Sequence, residues 1–179
     1  MVYVLLGTGF EETEAIVPVD LLRRAGVTVL TVGLNGKLVY GGHSIGVEAD
    51  ITIEQMDLTQ MDMIVLPGGL GGVSSILACQ AALDAVDFAY ENGKLIGAIC
   101  AAPTILAKLG ITDGKNTTCY PGCEESMGSA NMVKAACVQD SNIITGTSAG
   151  CATAFGLKLI EALKGEEAKN KIAESIVIR

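Results

Sequence analysis

Basic residues are scarce in this chain. Lys and Arg number 12 against 20 Asp and Glu, which leaves a net charge of -8 and a pI near 4.6. Phosphate backbones and anionic lipid surfaces are bound through basic stripes, so nucleic acid and membrane are excluded as expected partners. Long apolar runs are also missing. No uninterrupted stretch approaches the ~18 residues that a membrane span needs, and a soluble protein is expected. Aromatic side chains make up only 4% of the residues and tryptophan is absent, whereas half the residues are hydrophobic and 22 are glycine. That balance favours thin, closely packed layers joined by tight turns. Met1 leads directly into "VYVLLG" with no basic segment or cleavage site after it. The expectation is therefore a cytoplasmic, reducing setting in which the 6 cysteines are free thiols rather than a disulfide framework.

What is present is a rhythm of strands and helices. The runs "VYVLLG" (2–7), "VTVLTVG" (27–33), "DMIVLPGG" (62–69) and "KLIGAIC" (94–100) are β-rich and end at turn signals, with helical patterns near 11–25, 73–92 and 101–109 between them. Such alternation calls for a mostly parallel sheet covered on both faces, an α/β sandwich in a single domain over residues 1–179. "LVYGGHSIGVEAD" (38–50) reads as a hairpin around Gly41 and Gly42, an antiparallel excursion at one sheet edge. Strands near 134–138 and 142–146 precede a long helix, and "EEAKNKIAESIVI" closes the chain as a helix or strand.

In an open α/β sheet, ligands bind beyond the carboxyl ends of the strands. Three segments meet there: "GTGFEETE", "LPGGLGG" and "GAICAAP". In the last of these, Cys100 stands where a buried strand gives way to a helix, flanked by small residues. A cysteine there is either a small core residue or a nucleophile on an elbow turn. The elbow position favours the nucleophile, and the helix N-terminus leads us to expect a thiol more acidic than usual.

In "EETEAIVPVDLLRRAG" the apolar stripe runs through Val17, Pro18, Leu21 and Ala25, and one turn earlier it lands on Glu14. A carboxyl on that stripe is desolvated and retains its proton towards neutral pH, whereas a frayed helix start would leave Glu14 in water. Glu11 and Glu12 read as ordinary acids of a first helical turn. Gly68 and Gly69 either bring backbone N–H groups, with that of Ala101, towards an oxyanion beside the thiol or form a plain tight turn; their spacing fits no nucleotide loop.

The remaining chemistry-bearing residues are few. Cys119 and Cys123 lack the second pair or the histidine that a zinc site needs, so no metal is expected. Cys79, Cys137 and Cys151 read as core residues. The one histidine, His43, lies outside the converging segments, which leaves a Cys–His pair without support.

Taken in order, "GFEETE", "VLPGG" and "AICAAP" resemble the DJ-one branch of the ThiJ/PfpI superfamily across nearly the whole chain. The resemblance implies a flavodoxin-like three-layer sandwich, usually homodimeric, with a reactive cysteine at Cys100, a protonated glutamate at Glu14 and oxyanion donors at Gly68, Gly69 and Ala101. It implies a cofactor-free enzyme acting on small aldehydes or glycated adducts, converting methylglyoxal to lactate as protection against carbonyl and oxidative stress. The alternative it carries is a non-catalytic redox sensor or chaperone that uses oxidation of Cys100. Peptidase members of the superfamily place a histidine directly after the cysteine; Ala101 stands there instead. Tyr120, preceded by Cys119, occupies the place of a histidine found in many relatives, which makes both candidate pocket residues. Ala149 and Cys151 stand where relatives carry arginine and proline.

Overall fold

The computed structural model describes residues 1–178. Four β-rich runs become buried parallel strands: β1 (Val2–Leu6), β2 (Val29–Gly33), β6 (Met63–Leu66) and β7 (Leu95–Ile99). Between and after them come β3 (Leu38–Tyr40), β4 (Gly46–Glu48), β5 (Ile51–Thr52), β8 (Asn116–Thr117), β9 (Asn131–Met132), β10 (Cys137–Asp140) and β11 (Ile143–Gly146). The helices are α1 (Glu12–Arg24), α2 (Leu70–Leu77), α3 (Gln80–Glu91), α4 (Pro103–Lys108), α5 (Ala152–Lys164) and α6 (Glu166–Ser175).

The central sheet has the order β10-β11-β7-β6-β1-β2-β5. Every pairing in it is parallel except β10 with β11. This is the flavodoxin-like three-layer arrangement. Successive side chains of a strand face opposite layers, so β1 sends Tyr3 and Leu5 to one core and Val2, Val4 and Leu6 to the other. The first core is closed by α2, α3 and α4 through residues such as Ile76, Val86 and Leu106. The second is closed by α1, α5 and α6 through Leu22, Phe155 and Ile172. Burial on both faces is why these strands read as continuous apolar runs rather than alternating ones.

β1 lies between β2 and β6, so the chain turns outward in opposite directions on its two sides, and β7 follows β6 on the same side. The carboxyl ends of β1, β6 and β7 therefore adjoin one another at the switch point. This topology brings the three sequence segments together.

Three expectations need correction. The hairpin at 38–50 does not extend the main sheet. β3 and β4 form a separate two-stranded sheet, and the antiparallel edge strand is β10 at the other side. The hairpin instead folds back onto the start of α1, with Gly9 N donating to Tyr40 O at 2.8 Å and Gly42 N donating to Phe10 O at 2.7 Å.

The helical stretch at 73–92 is two helices crossing at 86°. Cys79 is extended between them, and α2 starts earlier than expected, taking in Gly71 and Gly72. Those glycines pack against Gly9 and Phe10, where a Cβ on Gly72 would stand 2.7 Å from Phe10 Cα. Tertiary contact thus makes a helix of residues whose local preference is for a loop.

The cysteines are all free, as expected, but Cys151 is not a core residue: it lines a surface cleft. Among the described residues no single helix is long and apolar enough to cross a membrane.

Candidate active site

Cys100 occupies the turn between β7 and α4 with φ of +65°, a left-handed conformation that is unfavourable for a residue bearing a Cβ. Such strain costs about 1–3 kcal/mol and persists where surrounding bonds over-determine it. Here Cys100 N donates to Gly146 O at 2.9 Å, and Tyr120 N donates to Cys100 O at 2.8 Å. The ends of β11 and the 118–121 segment thus pin both sides of the elbow, which holds the half-buried side chain out towards the switch point.

Glu14 meets it from the neighbouring loop. The N-cap of α1 is Glu11, whose carboxylate accepts from Glu14 N at 2.7 Å. With the helix started there, Glu14 faces inward and is fully buried. Its Oε2 accepts from Gly68 N at 2.9 Å. Its Oε1 is buried without a hydrogen-bond partner.

Gly68 lies against both groups, since a Cβ there would stand 2.5 Å from Glu14 Oε2 and 2.8 Å from Cys100 Cβ. Gly69 has φ of +80°, and its Cβ would stand 2.5 Å from Gly9 O. Only glycines allow the β6 loop to run this close to the α1 start.

Of the three expected oxyanion donors, Gly69 and Ala101 turn their N–H groups towards the Cys100 sulfur, where both favour the thiolate. The Gly68 N–H is engaged by Glu14 instead. Its effect on the thiol is therefore indirect, through the carboxyl group it orients.

The electrostatics follow from burial. Desolvation pushes the Glu14 carboxyl up to about 7. Desolvation, together with the neighbouring Glu14 charge, pushes the Cys100 thiol up to about 12. The acidic thiol expected from the elbow alone is thus not found. α4 has only 6 residues, and the two amides do not outweigh the loss of water around sulfur. The two groups are coupled, the Glu14 charge raising the thiol, so the state with both charged is disfavoured. A proton is then shared by the pair, as carboxylate and thiol or as carboxylic acid and thiolate.

Cys119 is buried and lines a cleft of about 800 Å³; burial pushes its thiol up to about 11. Tyr120 contributes its backbone to the elbow, while its side chain is exposed. His43 is not a partner of Cys100. Its Nδ1 lies 2.8 Å from Glu12 Oε2, and its N–H donates to Glu12 Oε1 at 2.7 Å.

Glu12 is a first-turn acid, as read from the sequence, but it is also a buried anchor for the hairpin, a role that sequence reasoning missed. Its helical phase gave no signal of this, because the partner is 31 residues away. Glu11, Glu12 and His43 have ligand atoms within 4.8 Å of one another, the spacing of a possible cation site, but every Glu12 oxygen is already engaged by the hairpin.

A cysteine held at positive φ beside a buried carboxylic acid, on a flavodoxin-like sheet, defines a class of α/β proteins built around an elbow thiol. Residues 1–162 match the DJ-1/PfpI family, and the chain belongs to that family. Protein dj-1beta of Drosophila melanogaster is 36% identical over 178 residues, 98% of this chain and 95% of the relative. A glutathione-independent glyoxalase, DJR-1.2 of Caenorhabditis elegans, is 31% identical over 170 residues, 94% of this chain and 90% of the relative. Among solved structures, a cysteine-to-alanine variant of a DJ-1 superfamily protein from Salmonella typhimurium superposes with a TM-score of 0.94 at 33% identity, covering 99% of this chain and 98% of that one.

Proposed function

We propose that the protein is a cofactor-free enzyme that converts small 2-oxoaldehydes to 2-hydroxy acids, with methylglyoxal as the simplest substrate. The observation that carries this reading is the fully buried Glu14, with one oxygen unpartnered, beside Cys100. A carboxyl group whose proton leaves near neutral pH can both give and take a proton at working pH. The nematode relative named as a glutathione-independent glyoxalase supports the same chemistry.

In this reading the Cys100 thiolate adds to the aldehyde carbon of methylglyoxal, forming a C–S bond, and the carbonyl oxygen takes the Glu14 proton to give a hemithioacetal. The Glu14 carboxylate then removes the proton from that carbon, leaving an enediol, and returns it to the adjacent carbon. The former ketone becomes an alcohol and the former aldehyde a thioester. Water cleaves the thioester to release lactate and restore the thiol. The sum is methylglyoxal plus water to lactate, with no net oxidation. The amides of Gly69 and Ala101 hold the oxygen that becomes anionic when sulfur adds.

The same reading takes the protein as a cytoplasmic homodimer that repairs carbonyl damage, acting on glycated adducts as well as on free aldehydes. Lactate formation from methylglyoxal by the purified protein, without thiol or metal, is the test. Turnover that disappears in both Cys100→Ser and Glu14→Gln supports it. No turnover at millimolar substrate overturns it in favour of the redox-sensor reading.

A further inference from the structure

We propose that the cleft beside Cys100 is a subsite for an apolar substituent, so that the preferred substrates are 2-oxoaldehydes carrying an aryl or medium alkyl group rather than methylglyoxal. This rests on the reading above and sharpens its substrate class. The cleft measures about 800 Å³. That volume lies in the range of about 300–1,000 Å³ typical of sites for drug-sized ligands. Methylglyoxal, with five heavy atoms, would fill only a small part of it.

Two walls of the cleft are the segments that hold the elbow. Cys119 lines it and precedes Tyr120, whose N–H binds the Cys100 carbonyl. Thr147 lines it and follows Gly146, whose carbonyl takes the Cys100 N–H. Cys151 lines it from the turn that also brings Ala149 N–H towards the Glu14 carboxyl.

The lining is apolar in effect. Met132, Val133, Ala135 and Pro121 contribute hydrocarbon, and the two thiols add soft, polarisable surface. The hydroxyl groups are taken: Thr118 Oγ1 and Thr147 Oγ1 are 3.0 Å apart, and Thr147 Oγ1 donates to Ala135 O at 2.5 Å. Glu124 Oε2 already accepts from Gly122 N at 2.6 Å. A hydrocarbon substituent entering here strands no buried polar group, whereas an uncharged sugar would find few free donors; Lys134 also lines the cleft and supplies the ammonium that a phosphate would meet there. Cys119 and Thr147 each neighbour a backbone partner of Cys100, which sets the cleft next to the elbow.

Two ratios test the proposal on the full-length protein. One is kcat/KM for phenylglyoxal over that for methylglyoxal. The other needs no turnover: the rate of Cys100 alkylation by N-benzyl-iodoacetamide over that by iodoacetamide, divided by the same ratio for N-acetylcysteine. The labelling ratio is expected to exceed one by at least tenfold. Ala135→Trp, at an exposed position where folding is tolerant, is expected to lower both ratios at least tenfold. A labelling ratio near one, or ratios within twofold of wild type in Ala135→Trp, would overturn the subsite and leave the cleft to another occupant, such as a second copy of the chain. If neither oxoaldehyde is turned over while the labelling preference and its loss are seen, the apolar subsite stands and the catalytic reading falls.

Discussion

Glu12 and Glu14 are two residues apart in the first turn of one helix, and both are buried, yet they end in opposite states. Burial works to raise both carboxyl groups. At Glu12 it is outweighed by hydrogen bonds from the His43 ring and backbone and from Ile45 N, which hold the group below the usual carboxylate range. At Glu14 desolvation wins: the thiol and the backbone N–H groups of Gly68 and Ala149 do not replace the lost water, and the carboxyl rises to about 7. A buried carboxylate that is fully hydrogen-bonded is a structural anchor. In the proposed function, one left with an orphan oxygen beside the elbow thiol serves as the proton carrier.

The largest effect that separates the two is catalytic. Glu14→Gln is expected to lower methylglyoxal turnover by about 10²–10⁴-fold, the usual worth of a positioned acid–base group. Glu12→Gln should retain most of it. Comparable losses in the two variants, measured by lactate formation, would erase the distinction.

The next contrast lies in stability against pH. The folded-state value of about 7 for Glu14 lies above the ordinary 4.5, so the folded protein binds this proton more tightly than the unfolded chain does. Its stabilising contribution is complete below about 4.5 and is lost as pH rises towards 7, a fall of roughly 2–3 kcal/mol. Urea titrations at pH 5 and pH 8 should show that fall in wild type. Glu14→Gln should remove it, and Glu12→Gln should leave it in place because Glu12 is shifted the other way.

Gly68→Ala tests the packing that orients Glu14. The added methyl would meet Glu14 Oε2 at 2.5 Å and Ile99 O at 2.9 Å. A loss of about 1–3 kcal/mol is expected, as for other overpacked sites. Slower alkylation of Cys100 should accompany it, read by peptide mapping. Unchanged alkylation would show that Gly68 does not position the pair.

His43→Ala should have the smallest effect. The ring is largely exposed, and the backbone N–H of residue 43 can still bind Glu12. A small fall in melting temperature below neutral pH, fading as pH rises, is the expected trace of the His43–Glu12 ion pair, because the histidine is raised by its partner. An equal fall at pH 9 would assign the effect to packing.

The elbow cysteine, the buried position of Glu14 and the parallel strands were legible in the sequence. Each follows from a local regularity: an apolar run ending in small residues, a helical stripe extended by one turn, and β-rich segments alternating with helices. Those patterns involve neighbours along the chain, and sequence displays neighbours directly. Tertiary structure alone decided that Gly68 serves Glu14 and not the oxyanion, that Glu12 is tied to a hairpin 31 residues away, and that Cys151 faces a cleft. It also decided the charge state of the site. The elbow favours a thiolate, but water excluded by distant residues and a carboxyl from another strand end govern the shared proton, and neither leaves a periodic mark in the sequence.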